Sequence, residues 1–91
     1  MHAVVVRVKV GDVERAQQAL ETEVVPQVSS AAGFKAAYWT RATSGGETNG
    51  LSMVIFDSED NAQAAADRVR GMAPETVTVE SVEVREVVAS A

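Results

Sequence analysis

The chain has 91 residues, no cysteine, and a formal charge of -5 from 13 acidic and 8 basic side chains. That length makes one domain, residues 1–91, with a modest core. The missing cysteines exclude disulfides and thiolate metal sites. The acid excess, with no Lys/Arg cluster, disfavours a nucleic-acid surface, and no apolar run approaches the roughly 20 residues of a membrane-spanning helix.

The first predicted element is a strand over His2 to Val10. Val4, Val6, Val8 and Val10 share one face; Ala3, Val5, Arg7 and Lys9 share the other. The first half is apolar on both faces, which predicts a central strand covered on both sides. Ala3 to Val6 is too short for the apolar region of a secretion signal, and a soluble cytoplasmic protein is expected.

Gly11-Asp12 interrupts the strand, and Asp12 is a good N-cap for a helix. Val13, Ala16, Leu20, Val24 and Val28 recur every three to four residues and form its expected buried stripe. Pro26 falls inside that pattern, which predicts a kink or break near Val25. Ser29 to Gly33 leads out of the helix.

Phe34 to Arg41 and Leu51 to Phe56 read as two strands of a hairpin. Between them Gly45-Gly46 and Asn49-Gly50 both permit positive φ, so either pair serves as the turn. The intervening Thr43 to Gly50 is expected as an exposed, mobile tip. On the first strand Lys35, Ala37, Trp39 and Arg41 share a face; Phe34, Ala36, Tyr38 and Thr40 share the other. On the second, Leu51, Met53 and Ile55 oppose Ser52, Val54 and Phe56, and neither set is polar. This strand, too, is expected to be covered on both sides.

Asp57 and Ser58 are alternative N-caps for a second helix, with Glu59 and Asp60 in its first turn. Ala62, Ala65, Ala66, Val69 and Met72 form its stripe. Gly71 is the expected stop, and Pro74 prevents resumption. Thr76 to Val88 is the last strand. Val77 and Val79 have one parity and Val82 and Val84 the other, so a β-bulge is expected near Glu80-Ser81.

The order is β-α-β-β-α-β, an α+β ferredoxin-like layout with an antiparallel sheet. Right-handed crossovers put both helices on one face of the sheet. The other face is left bare yet apolar, with Val5 and either Val54 and Phe56 or Met53 and Ile55 on it. A face of that kind predicts a homodimer with two sheets packed against each other.

This layout resembles the dimeric α/β-barrel superfamily, in particular its small antibiotic-biosynthesis-monooxygenase-like (ABM-like) proteins and their short actinobacterial members. The likeness runs over nearly the whole chain. It rests on the opening strand His2 to Val8, the helix end Glu23-Val24-Val25-Pro26, the turn Ala32-Gly33-Phe34, and Gly50 to Phe56 followed by an acidic helix start. It implies paired sheets enclosing a cavity in each subunit. Some members oxidise polycyclic phenols without metal or flavin; others degrade haem or isomerise lactones. The cofactor-free members use Asn, Trp, Tyr and Arg or His to stabilise a substrate anion. Haem-degrading members carry an Asn on an early strand and a His on a helix. Here the first strand has no Asn and the segment Asn61 to Arg70 has no His, so haem degradation is disfavoured. Trp39 matches the family tryptophan in residue type only, and no catalytic role is carried onto it.

The candidate ligand-binding residues are Arg7, Trp39, Tyr38, Arg41 and His2. An arginine on a central strand is costly unless it is paired or faces a cavity, and it can hold a phenolate or carboxylate. Trp39 and Tyr38 point to opposite faces, so only one of them lines a given cleft, and packing alone would also account for either. Arg41 shares the Trp39 face. His2 is the only histidine, but near a chain end it is prone to fray. No nucleophile–base pair and no metal constellation stands out. The expected function is a homodimer holding a small hydrophobic or aromatic ligand in a cavity at the sheet face, with no cofactor. The alternative is a cofactor-independent monooxygenase or isomerase acting on an aromatic or polyketide-like compound.

Overall fold

The computed structural model describes residues 1–91. Strands β1 (His2–Val10), β2 (Phe34–Ser44), β3 (Glu47–Phe56) and β4 (Val77–Glu86) form one sheet in the order β2-β3-β1-β4. Every neighbouring pair is antiparallel. The two strands read as apolar on both faces, β1 and β3, are the central ones. Helical segments follow β1 and β3, which is the ferredoxin-like order.

The first helical arm is continuous through Pro26. It runs as α1 (Val13–Ala19), a π-helical turn over Leu20–Val24, and α2 (Val25–Ser29). Asp12 caps it, its carboxylate accepting from the Arg15 N–H at 3.1 Å. Where a kink or break was expected near Val25, the chain widens its winding, and the Val25 N–H bonds back to the Leu20 carbonyl. Pro26 thereby falls in the first turn of α2, where a missing N–H costs little. An uninterrupted α-helix would instead have set its ring against the Thr22 carbonyl.

Gly33 closes the arm with φ of 79°. A Cβ there would stand 2.3 Å from the Asp57 carboxylate and 2.4 Å from the Asn61 amide. The Gly33 carbonyl also accepts from the Asp57 N–H at 2.9 Å. This tight crossing ties the start of β2 to the end of β3.

Of the two possible hairpin turns, Gly45-Gly46 is used. Both glycines have positive φ, 60° and 81°, as a turn that follows the strands' right-handed twist requires. The expected tip over Thr43 to Gly50 therefore shrinks to two residues, and the strands zip up to it. The Thr43 and Thr48 hydroxyls meet at 2.9 Å, and Thr48 is buried.

Pairing also shows that Lys35 is an extra residue between Phe34, opposite Phe56, and Ala36, opposite Ile55. The bulge overturns the expected parity at this end. Phe34 joins the face of Ala37 and Trp39, and its ring meets Phe56 edge-on with centroids 6.5 Å apart.

After β3, Ser58 is the N-cap of α3 (Glu59–Met72), accepting from the Asn61 N–H at 3.2 Å. Asp57 accepts from the Asn61 side chain at 2.9 Å instead. The helix does not stop at Gly71; it runs to Met72 and ends where Pro74 forces Ala73 into extended backbone. In β4 the pairing with β1 slips between Arg7 and Val8, leaving Glu80 as the bulged residue, at the expected position. Beyond β4 the Val87 N–H reaches the Met1 carbonyl at 2.9 Å.

Val4, Val6, Val54, Phe56 and Ala62 are the buried cluster between sheet and helices. Helices therefore cover the Val54 and Phe56 face of β3. Met53, Ile55 and Leu51 lie with Val5 and Tyr38 on the helix-free face. There Tyr38 is 69%, Met53 44% and Leu51 40% exposed, so three large apolar side chains share one open surface.

Candidate functional site

Packing on the helix side is uneven along the sheet. The β3 residues pointing toward the helices are, in order, Thr48, Gly50, Ser52, Val54 and Phe56. Small side chains stand at the hairpin end and large ones at the other. At the large end Phe56, Val4 and Ala62 close completely, each 1% exposed or less. At the small end Gly50 and Ser52 contribute almost nothing between sheet and helix. The two edges of this gap are Val8 and Arg41, the cross-strand partners of Gly50, and Val6 and Trp39, those of Ser52.

The result is a cavity of about 860 Å³ between the helical arm, α3 and the sheet. Twenty of its 29 lining residues are hydrophobic. Leu20 and Val24 of the π-helical turn form one wall, and Ala65, Val69 and Met72 of α3 another. The stripe Val13, Ala16, Leu20, Val24 and Val28 was expected to be buried. All five are half-buried, and Ala16, Leu20, Val24 and Val28 line the cavity. A volume of this size lies within the range of small-molecule sites, which is roughly 300–1,000 Å³.

The five candidates separate. Trp39 and Arg41 both line the cavity, Trp39 half-buried and Arg41 exposed beside α1. Arg41 donates from Nη1 to Gln17 Oε1 at 3.0 Å. Tyr38 and Arg7 lie on the helix-free face, away from the cavity. His2 is on the helix side but at the packed end, with Nε2 3.5 Å from a Glu59 carboxylate oxygen. Its buried Nδ1 has no hydrogen-bond partner. Arg7 therefore shares no cavity with Trp39 within one chain.

Two contributors escaped the sequence reading. Arg68 of α3 lines the cavity, with Nε bonded to the Ala64 carbonyl at 3.3 Å. Its place, next to Val69 and three residues past Ala65 in the apolar stripe, was the available signal. Gly50, read as a turn residue, lies inside β3, where a Cβ would come within 2.7 Å of Val8 Cγ2.

The one carboxyl with a clear shift is Asp57. Its pKa is held below the ordinary 3.8 chiefly by the bond from the Asn61 side chain, with burial opposing and Ser58 and Lys35 assisting. This group belongs to the Gly33 crossing, not to the cavity. No cluster of His, Cys, Asp or Glu is arranged to hold a metal ion, and no helix is long and apolar enough to cross a membrane.

The cavity lining combines apolar surface, one indole and two guanidinium groups with the polar residues Gln17, Gln27, Ser30, Thr40 and Ser52. Groups of these kinds can hold and orient a small molecule. The lone histidine, His2, and the lone tyrosine, Tyr38, stand outside this lining. Comparison of the chain with protein-family models, curated proteins and solved structures finds no match.

Proposed function

We propose that the chain is a small-molecule binding protein that holds a hydrophobic or aromatic compound between its helices and its sheet. The observation that carries this reading is the hollow itself. A domain of 91 residues has little core to spare, yet only 8 residues are buried and the helices and sheet enclose an apolar cavity of about 860 Å³. An occupant would supply the contacts that the arm's apolar stripe lacks, at about 25 cal/mol for each Å² removed from water. Membership of the dimeric α/β-barrel superfamily, on its ABM-like branch, is part of the proposal and is supported by the strand order. So is a homodimer through the helix-free face, supported by Tyr38, Met53 and Leu51 lying exposed together.

The test uses the lone tryptophan. A neutral aromatic probe, 2-naphthamide, is titrated while the Trp39 indole N–H resonance is followed by NMR and the thermal midpoint by circular dichroism. Binding moves the resonance, and at 100 times Kd it adds about 2.7 kcal/mol of stability. A resonance and midpoint that stay still across aromatic and aliphatic probes, neutral and anionic alike, would overturn the reading. Oxygen uptake with a phenolic compound and no added cofactor would replace it with the monooxygenase alternative. Light scattering on a size-exclusion column tests the dimer; a monomer at all concentrations would remove that part.

A further inference from the structure

The charge of the cavity lining is the reverse of the charge of the chain. Acidic side chains outnumber basic ones 13 to 8 overall. The cavity lining has two arginines, Arg41 and Arg68, and no Asp or Glu. Neither arginine joins an ion pair; those of the chain link His2 with Glu59, Lys9 with Glu47, and Arg85 with Glu83. Each arginine instead gives one donor to a neutral acceptor, Arg41 to Gln17 Oε1 and Arg68 to the Ala64 carbonyl. A guanidinium has five N–H donors in a plane, so most remain free.

Arg41 is held through the neutral Gln17 amide, with the Glu21 carboxylate bonded to the far side of that amide. Gln17 Nε2 donates to Glu21 Oε1 at 2.8 Å, which turns Gln17 Oε1 toward Arg41. The two arginines come from different walls, one from strand β2 and one from helix α3. Both are exposed, so they mark the mouth of the cavity, while Trp39, Val6 and Val54 lie deeper. An apolar hollow with a cationic mouth matches a molecule with an apolar body and an anionic head. A neutral hydrocarbon makes no use of the two charges.

Building on the binding function above, we infer that the occupant is a small hydrophobic monoanion, a carboxylate on an aromatic or aliphatic body, with Arg41 and Arg68 holding its head. The guanidinium plane accommodates both carboxylate oxygens, which a point charge does not. The apolar body then lies along Trp39 and against Leu20 and Val69.

Matched pairs of probes differing only in the head test this by calorimetry at low salt: 2-naphthoate against 2-naphthamide, and decanoate against decanamide. At least one acid is expected to bind about tenfold more tightly than its amide, an advantage that narrows as salt is raised. Arg41→Gln and Arg68→Gln each reduce the advantage, and together they abolish it, so that each acid binds no more tightly than its own amide. Arg41→Lys and Arg68→Lys keep the charge and retain part of the advantage. Unchanged thermal midpoints establish that the variants fold; if a Gln variant does not, the salt dependence and the Lys variants decide. Equal binding of acid and amide to the unaltered protein, or an advantage that survives in the double Gln variant, overturns the anion assignment and leaves the binding function standing. Amides and acids that all fail to bind overturn both.

Discussion

Replacing Ser52 with isoleucine distinguishes a true hollow from a core that merely has small residues in it. Ser52 points toward the helices between Val6 and Trp39, its cross-strand partners. The substitution puts an ethyl and a methyl group where a hydroxyl stood. Each carbon fully buried contributes about 0.8 kcal/mol. The site is half-open, so a gain of about 1 kcal/mol is expected, since roughly half of the added surface leaves water. For a domain of this size that raises the thermal midpoint by about 4–8 °C. In a core already packed to normal density the same insertion would cost about 1–3 kcal/mol. The two cases differ in sign, so a thermal melt followed by circular dichroism decides between them. The variant should also bind 2-naphthamide more weakly, because the new side chain occupies the floor beside Trp39. A lowered midpoint with unchanged probe binding would refute the reasoning, since it would mean that no space exists above Ser52.

Three further outcomes follow from the packed end and its anchor. Phe56→Ala removes a side chain that is 1% exposed and edge-on to Phe34, and should cost about 3–5 kcal/mol in a urea titration. Gly33→Ala forces a left-handed backbone on alanine and displaces the Asp57–Asn61 pair, so a loss of about 2–4 kcal/mol is expected by the same assay. Asp57 has a lowered folded pKa, so the unfolded chain binds its proton first as pH falls. Its stabilising contribution is full well above 3.8 and is lost as pH drops from there through the folded value. Thermal midpoints of Asp57→Asn measured between pH 6 and pH 2.5 should therefore fall less steeply at the acid end than those of the unaltered protein.

The sequence determined the elements and much of their pairing. Apolar residues on both faces of Ala3 to Val6 and of Leu51 to Phe56 marked β1 and β3 as the inner strands of the sheet. The parity slip at Glu80 marked the bulge of β4, and Asp12 and Ser58 stood where helix caps belong. These are local signals, readable from neighbours a few positions apart. The sequence did not show that Trp39 and Arg41 face the helices while Tyr38 faces away, since strand parity divides residues into two sets without assigning either set to a side. The bulge at Lys35 reassigned Phe34 for a reason that exists only once β2 is paired with β3. The π-helical turn was likewise invisible, because Pro26 announces a conflict but not how the chain resolves it. The cavity is the least local feature of all. It arises where the small residues of β3 come to lie between the helical arm and α3, and its charge arises because Arg41 and Arg68 reach its lining from separate elements. Distance along the chain says nothing about such a meeting; the crossover of the helices over the sheet decides it.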